Sequence, residues 1–272
     1  MDPELIKAGV EVGKKALSET TIYEDAFQPL AKQTGKALET VGKAVNMALS
    51  PLAATVWGYE KISYYLSQKL KQKLANVPAE DIQTPKANVA VPIIEGMRNV
   101  SEDENLQELY ANLLANAMNK KYAHGVLPSF GEIVKNLTSD EAKLLFLLAR
   151  PDQIFPVIQV RKTNLADDKK TVEGWTIFYN HLSLLGKKAN CEYPLQTPMY
   201  LENLIRLRLI NISYTEYYTK ADAYDEVLND PFTKELQTQI ESMPNKQCEF
   251  AQGYAELSVF GKKFCEACKI NS

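Results

Sequence analysis

The apolar positions of residues 1–75 follow a helical period. They recur at spacings of three and four, which places them on one helix face: Leu5, Ile6, Gly9, Val12, Gly13 and Ala16. A second helical pattern covers residues 32–65. Pro51 interrupts it, because proline removes a helix hydrogen bond and clashes with the preceding turn. We therefore predict an N-terminal helical region over residues 1–75.

Residues 76–92 carry Pro78, Pro85 and Pro92 and show no long periodicity. Clustered prolines between two periodic stretches are typical of loops. We predict a linker or extended arm over residues 76–92 and a domain boundary there.

Residues 93–149 carry the strongest helix-start signals. Three capping boxes are predicted, in which a hydroxyl and a carboxylate satisfy free N–H groups: Ser101 with Glu104, Ser129 with Glu132, and Thr138 with Glu141. A broad apolar stripe follows the first box: Leu106, Leu109, Tyr110, Leu113, Leu114, Ala117 and Met118. These signals predict a central capped helical bundle over residues 93–149.

The period changes after Arg150. Strand-like stretches cover residues 155–162, 175–179, 212–219 and 248–258. Helical patterns alternate with them, one beginning at Thr197-Pro198, one over residues 222–242 and one at the end of the chain. A few helices with short antiparallel strands favour a winged-helix-like α+β module over residues 150–272. The predicted fold class is therefore mainly α, a helical bundle followed by a winged-helix-like domain.

Composition places the chain among folded proteins without a disulfide framework. The 272 residues are 45% hydrophobic and 24% charged, with a net charge of −3, which disfavours nucleic acid as a partner of the whole chain. Four cysteines are sparse for this length and fit a reducing cytoplasm. The first residues alternate acidic and basic side chains, so we expect no secretory signal.

The middle of the chain resembles a known family. Residues 108–118 (ELYANLLANAM) are similar to the core helix of the abortive infection alpha proteins of bacteria. Pro128-Ser129-Phe130, the apolar positions after it and Asp140-Glu141-Ala142 resemble the family's next segment, and residues 257–268 resemble its closing strand and helix. The resemblance extends over about residues 30–270. It implies a role in phage defence, in which an infected cell stops growing or dies, and it transfers no catalytic residue.

No catalytic, metal or cofactor site is predicted. The chain lacks the H-E-x-x-H, G-x-S-x-G and P-loop motifs, and His124 and His181 have no acidic or cysteine partner nearby in sequence. Cys265 and Cys268 form a C-x-x-C without a second close pair, so packing is favoured over a structural metal or redox role. We expect the protein not to be an enzyme; a hydrolase with an unfamiliar site is an alternative.

Residues 44–59 form a segment of 16 residues without a charge. A membrane-spanning helix needs about 20 apolar residues, so a buried helix pair is favoured over conditional membrane association. The residues assigned to this membrane or partner segment are Gly42, Val45, Leu49, Leu52, Val56 and Trp57. Small-residue faces at Gly9/Gly13 and Gly35/Gly42 would suit a homo-oligomer.

The function predicted from these features is abortive infection through contacts with an unknown protein partner or phage component. The location expected is the cytoplasm, or the periphery of the inner membrane. The alternative is a nucleic-acid-binding regulator that uses the C-terminal module. Its weak contacts would come from Arg206, Arg208, Lys262 and Lys263.

Overall fold

The computed structural model describes residues 69–70, 72–75, 77–78, 81–100, 102–151 and 153–268. The chain divides into two compact units between Lys135 and Asn136. The prediction of a helical region over residues 1–75 lies almost entirely outside the described residues.

The described part of the first unit contains helical residues at 69–70 and 72–74 and three complete α-helices: α1 (Ala87–Arg98), α2 (Glu104–Met118) and α3 (Pro128–Lys135). A 3₁₀ turn, Ala123–Gly125, lies between α2 and α3, and one isolated bridge joins Ile82 to Asn119. Pro92 lies inside α1, so the helix includes residues 87–92 of the stretch for which the sequence predicts a linker or arm.

Tyr110 joins the three helices of the first unit. Its ring is fully buried, and its hydroxyl donates to the carbonyl of Gly131 on α3 at 3.2 Å. The ring packs against Gly96 of α1, where an added Cβ would lie 2.1 Å from the Tyr110 oxygen. Only glycine leaves room for this contact, so the α1–α2 packing depends on the missing side chain.

The capping boxes differ in outcome. The third is confirmed: the N–H of Glu141 donates to the Thr138 hydroxyl at 3.2 Å, and the N–H of Thr138 donates to the Glu141 carboxylate at 2.6 Å. Helix α2 is capped by Asp103, which accepts from the N–H of Leu106 at 3.1 Å, while Ser101 lies outside the described residues. Ser129 lies inside α3, so it does not hold the N-cap position.

The second unit combines six α-helices with a sheet within its described residues. The helices are α4 (Ser139–Leu148), α5 (Leu185–Lys188), α6 (Thr197–Arg206), α7 (Asp225–Leu228), α8 (Pro231–Glu241) and α9 (Val259–Ala267). The strands are β1 (Pro156–Leu165), β2 (Val172–Leu182), β3 (Ile210–Ser213) and β4 (Lys246–Leu257). The pattern over residues 222–242 predicted one helix, but Asp230 caps a new start at Pro231 and divides it into α7 and α8.

The predicted fold class is wrong. The second unit is built on a curled antiparallel sheet of four strands, in the order β2-β1-β4-β3, and not on a winged helix. Strands β1, β2 and β4 have 10, 11 and 12 residues, longer than the short wing strands expected. The central pair joins β1 to β4 across an interval that contains four helices. A local sequence pattern cannot reveal such a distant pairing, because it reports only the period of each strand.

One face of the sheet forms the core of the second unit. Ile158 and Val160 on β1 are fully buried and pack with Val227 of α7 and with Leu236 and Ile240 of α8. Side chains alternate between the two faces of a strand, so the intervening residues of β1 lie on the opposite face. We call these the core face and the open face.

Candidate interaction surface

The open face presents a group of six side chains, of which Thr163 is buried and the other five are partly or fully exposed. In the strand register, Arg161 pairs with Ile177 of β2 and Glu249 of β4, and Thr163 pairs with Trp175 and Gln247. Directly paired residues share a face of the sheet. We define the sheet patch as these six residues: Arg161, Thr163, Trp175, Ile177, Gln247 and Glu249. Trp175 and Ile177 are 50% and 51% exposed, which is high for large apolar side chains.

Arg161 stacks on Trp175. The guanidinium carbon lies 4.1 Å from the centre of the ring, a cation–π contact. The Arg161 Nε donates to the Gln159 side-chain oxygen at 2.8 Å, which orients the guanidinium plane over the ring. The exposed tryptophan is therefore held on one side, while the other side remains accessible.

A chain of polar side chains leads from the sheet patch to helix α6. The buried Gln159 donates its Nε2 to the Asn180 oxygen at 3.1 Å. The amide nitrogen of Asn180 donates to the carboxylate of Glu202 on α6 at 3.4 Å. The orientation of Arg161 therefore depends on groups that extend to α6.

His181 is the centre of this polar chain. Its Nε2 lies 2.8 Å from the Glu202 carboxylate, and its Nδ1 lies 2.8 Å from the Tyr214 hydroxyl. A carboxylate only accepts hydrogen bonds, so we assign the proton of the neutral ring to Nε2, which donates to Glu202. Nδ1 then accepts from the Tyr214 hydroxyl, and the ring connects β2, α6 and the segment after β3.

The surroundings of His181 favour the neutral ring. Burial lowers the pKa of His181 below its ordinary value, although Glu202 acts in the opposite direction. The residue has a φ of 54°, a left-handed conformation that is uncommon for a residue other than glycine. Both ring nitrogens contact protein groups, so this geometry holds three elements together.

Comparison with known proteins identifies the family. A family model described as abortive infection alpha matches residues 58–268, most of the chain. The chain belongs to the abortive infection alpha family. No curated protein matches it.

Among solved structures, an uncharacterized protein from the hydrocarbon-degrading marine bacterium Alcanivorax borkumensis SK2 is similar to this abortive infection alpha chain at 17% identity. The match covers 52% of this chain and 92% of that one, with a TM-score of 0.33.

The resemblance recognised in the sequence is therefore confirmed, and its residues are structural. Residues 108–118 lie in α2, and Asp140 and Glu141 lie buried in the first turn of α4. The Asp140 carboxylate accepts from the N–H groups of Glu192 and Tyr193 at 2.8 and 2.9 Å. Burial raises the pKa of Asp140, but these hydrogen bonds and that of Lys143 outweigh it and place the pKa below its usual value. In this abortive infection alpha protein, Asp140 fixes the loop before α6.

Gly42, Val45, Leu49, Leu52, Val56 and Trp57 lie outside the described residues. Within the described part of the chain, no helix is both long and apolar enough to cross a membrane.

The four basic residues predicted as nucleic-acid contacts lie around the end of α6 and along α9. Arg206 donates to the Asn203 oxygen at 2.9 and 2.6 Å, and Lys263 pairs with Glu266 at 2.8 Å. Arg208 lies between α6 and β3 with a φ of 59°, and Lys262 lies in α9. Arg206 and Lys263 therefore each have a partner on their own helix. Whether they bind nucleic acid stays a prediction.

Cys265 and Cys268 are buried in and beside α9. Burial raises the pKa of Cys265 to about 12 and also raises the pKa of Cys268. A thiol reacts and binds metal as the thiolate, which burial disfavours here. Among the described residues, no group of three or more histidine, cysteine, aspartate or glutamate side chains could hold a metal ion.

Sequence reasoning missed His181 and the sheet patch. The partners of His181 lie 21 and 33 residues away in sequence, at Glu202 and Tyr214, so no local motif exists. Trp175 and Ile177 alternate with Thr176, which predicted a strand but not which face would stay uncovered. Only the strand order places these side chains on an open face at the edge of the sheet.

Proposed function

We propose that this abortive infection alpha protein acts in phage defence by binding another protein through the sheet patch, without catalysing a reaction. The observation that carries the proposal is the pair Trp175 and Ile177, two large apolar side chains that are each half exposed on one strand. Family membership supports the role in abortive infection. The patch supplies a means of contact.

The composition of the patch suits a protein partner. Tryptophan and arginine are enriched among the residues that dominate binding energy at protein interfaces. Arg161 and Trp175 are already stacked, so little side-chain freedom remains to be lost on binding. The polar side chains from Gln159 to His181 orient Arg161 over the ring through the Gln159 hydrogen bond.

The charges near the patch favour a protein over a nucleic acid. Glu249 pairs directly with Arg161 in the register, and the exposed Glu202 lies at the end of the polar chain. Two carboxylates near one arginine oppose a phosphate backbone, which requires several basic groups on one face. An aromatic side chain alone could stack on a base, but the surrounding charge would repel the strand.

A double substitution tests the proposal. Bacteria expressing the full chain, or a Trp175→Ser/Ile177→Ser variant at equal protein level, are challenged with phage, and culture survival and phage yield are measured. We expect the variant to lose protection. Tyr217→Ser/Val259→Ser is the matched control, since these residues are 59% and 80% exposed outside the patch. Protection that survives the patch variant, or that is lost equally in the control, would remove the patch from the function.

The uncharged segment over residues 44–59 carries a second element of the proposal, membrane association during infection. Its support is the sequence of 16 residues without a charge. Leu49→Asp/Val56→Asp is compared with the unmodified chain for membrane potential after phage challenge. Depolarisation that requires the apolar residues would support the proposal, and growth arrest with an intact potential would contradict it.

A further inference from the structure

Strand β2 lies at an edge of the sheet. Among the described residues it pairs with β1 alone, so the backbone groups on its outer side have no strand partner. Native proteins usually protect such edges with charges, prolines or short strands. The seven residues 174–180 (GWTIFYN) contain neither a charge nor a proline. This edge is therefore open to a further strand.

We propose that the protein bound by the sheet patch is a second copy of this chain, with the two β2 strands paired antiparallel about a two-fold axis at Thr176. The proposal rests on the proposed function, because it names the partner of the same surface. Thr176 is itself exposed, and β2 pairs regularly with β1 from Gly174 to Ile177, so this stretch has the regular geometry that a further strand needs.

The position of the axis follows from strand geometry. Residues directly opposite each other in an antiparallel pair lie on the same face of the sheet. When a strand pairs antiparallel with its own copy, the two-fold axis must therefore pass at a residue and not between two residues. The residue at the axis lies opposite the same residue of the second copy. An axis at Thr176 sets Trp175 of each copy against Ile177 of the other, joining the two sheet patches into one apolar surface.

The next pair along the strand is also complementary. An axis at Thr176 brings Gly174 beside Phe178 of the second copy, a residue at the register shift of β2 that is partly buried against the core of its own chain. Gly174 has a φ of 145°, and no atom lies within 4 Å of the position that a Cβ would occupy. An aromatic side chain opposite an edge glycine covers its exposed backbone, a pairing that stabilises sheets.

The charges of β2 favour the same register. Glu173 is the one acidic or basic residue of β2 apart from its histidine, and an axis at Thr176 places it outside the regular stretch from Gly174 to Ile177. Its own mate then lies six positions away, about 20 Å at strand spacing. An axis at Trp175 would instead set Glu173 against the apolar Ile177. The strand is thus complementary to itself in this register, and a different partner would need a matching strand of its own.

A cysteine at the axis tests the register. The full chain carries Thr176→Cys in a Cys191→Ser/Cys248→Ser background, which leaves the buried Cys265 and Cys268. Opposite Cα atoms of an antiparallel pair are about 4.5 or 5.5 Å apart, within the range that a disulfide spans. Mild oxidation should give a covalent dimer. The matched control, Glu173→Cys in the same background, should stay monomeric on a denaturing gel because the two thiols are too far apart.

Sedimentation equilibrium of the same background tests the association itself. We expect a dimer that Ile177→Lys weakens at least tenfold in Kd, while Val259→Lys, at a residue 80% exposed on α9, leaves it unchanged. A monomer, or a dimer that does not cross-link at Thr176, overturns the proposal.

The two proposals fail in distinguishable ways. A monomeric chain whose Trp175→Ser/Ile177→Ser variant still loses phage protection would overturn the self-association and leave the patch bound to a different protein. A dimer that cross-links at Thr176 and protects normally without Trp175 and Ile177 would keep the self-association and overturn the proposed function.

Discussion

The two faces of the sheet in the second unit differ in what covers them. On the core face, helices α7 and α8 bury Ile158 and Val160 completely. On the open face, Trp175 and Ile177 of the adjacent strand β2 are half exposed. Both faces carry large apolar side chains, so residue type does not distinguish them. An alternating apolar pattern therefore predicts that one face of a strand is apolar. It does not predict whether a helix of the same chain buries that face.

The largest expected effect comes from the core face. Ile240→Ala should lower the free energy of unfolding by about 2–5 kcal/mol, because it removes a fully buried side chain and leaves a cavity. Ile177→Ala, at a residue 51% exposed, should change it by less than about 0.5 kcal/mol at concentrations where the chain is monomeric. Urea titration of both variants measures the difference. Equal losses would mean that the open face is part of the core.

The second effect concerns the polar side chains that lead from the sheet patch to α6. Tyr214→Phe should lower the free energy of unfolding by about 1 kcal/mol, because it leaves the buried Nδ1 of His181 without its hydroxyl partner. Tyr217→Phe, at a residue 59% exposed, serves as the control in the same urea titration. A Tyr214→Phe variant as stable as the control would show that the hydrogen bond contributes nothing to folding.

The third effect has the opposite sign and concerns Thr163, the buried member of the sheet patch. The Thr163 hydroxyl is buried and finds no hydrogen-bond partner among the described residues. Thr163→Val should raise the free energy of unfolding by about 0.5 kcal/mol, because it removes the cost of an unpaired buried group. Thermal unfolding compares it with Thr176→Val, an exposed position of the same sheet. A loss of stability would show that the hydroxyl does have a partner.

The smallest effect is a pH dependence. The pKa of folded His181 is lowered, so the unfolded chain binds the proton more readily. The stabilising effect of a neutral His181 is complete above the ordinary histidine pKa of about 6.5 and is lost as pH falls towards the folded pKa. His181→Gln should therefore show a shallower loss of stability between pH 7 and 5 in denaturant titrations. A steeper loss would mean that the folded pKa is raised.

Several parts of the structure could be predicted from local sequence. The Thr138–Glu141 box marks the start of α4, because a hydroxyl and a carboxylate three residues apart satisfy the free N–H groups of a helix start wherever the helix packs. The stretches over residues 155–162, 175–179 and 248–258 predicted β1, β2 and β4, while of the stretch over residues 212–219 only the first two residues lie in a strand, β3. The family resemblance rested on residues of α2 and α4 whose burial explains their presence.

Other local signals were overruled by their surroundings. The pattern over residues 222–242 predicts one helix, but Asp230 caps a new start at Pro231 and divides the stretch into α7 and α8. Pro92 was interpreted as part of a linker, yet it lies within α1. Each signal describes a local preference, and packing can outweigh a local preference of about 1 kcal/mol.

The sequence by itself determined where most helices and strands form, because caps and periodicity act over fewer than about ten residues. It also determined that β2 carries few charges and no proline. Only the tertiary structure decided that β1 pairs with β4, that β2 therefore lies at an edge, and that His181 contacts Glu202 and Tyr214. These contacts join residues far apart in the chain, and their free energy depends on the shape of the whole sheet, which no local pattern encodes.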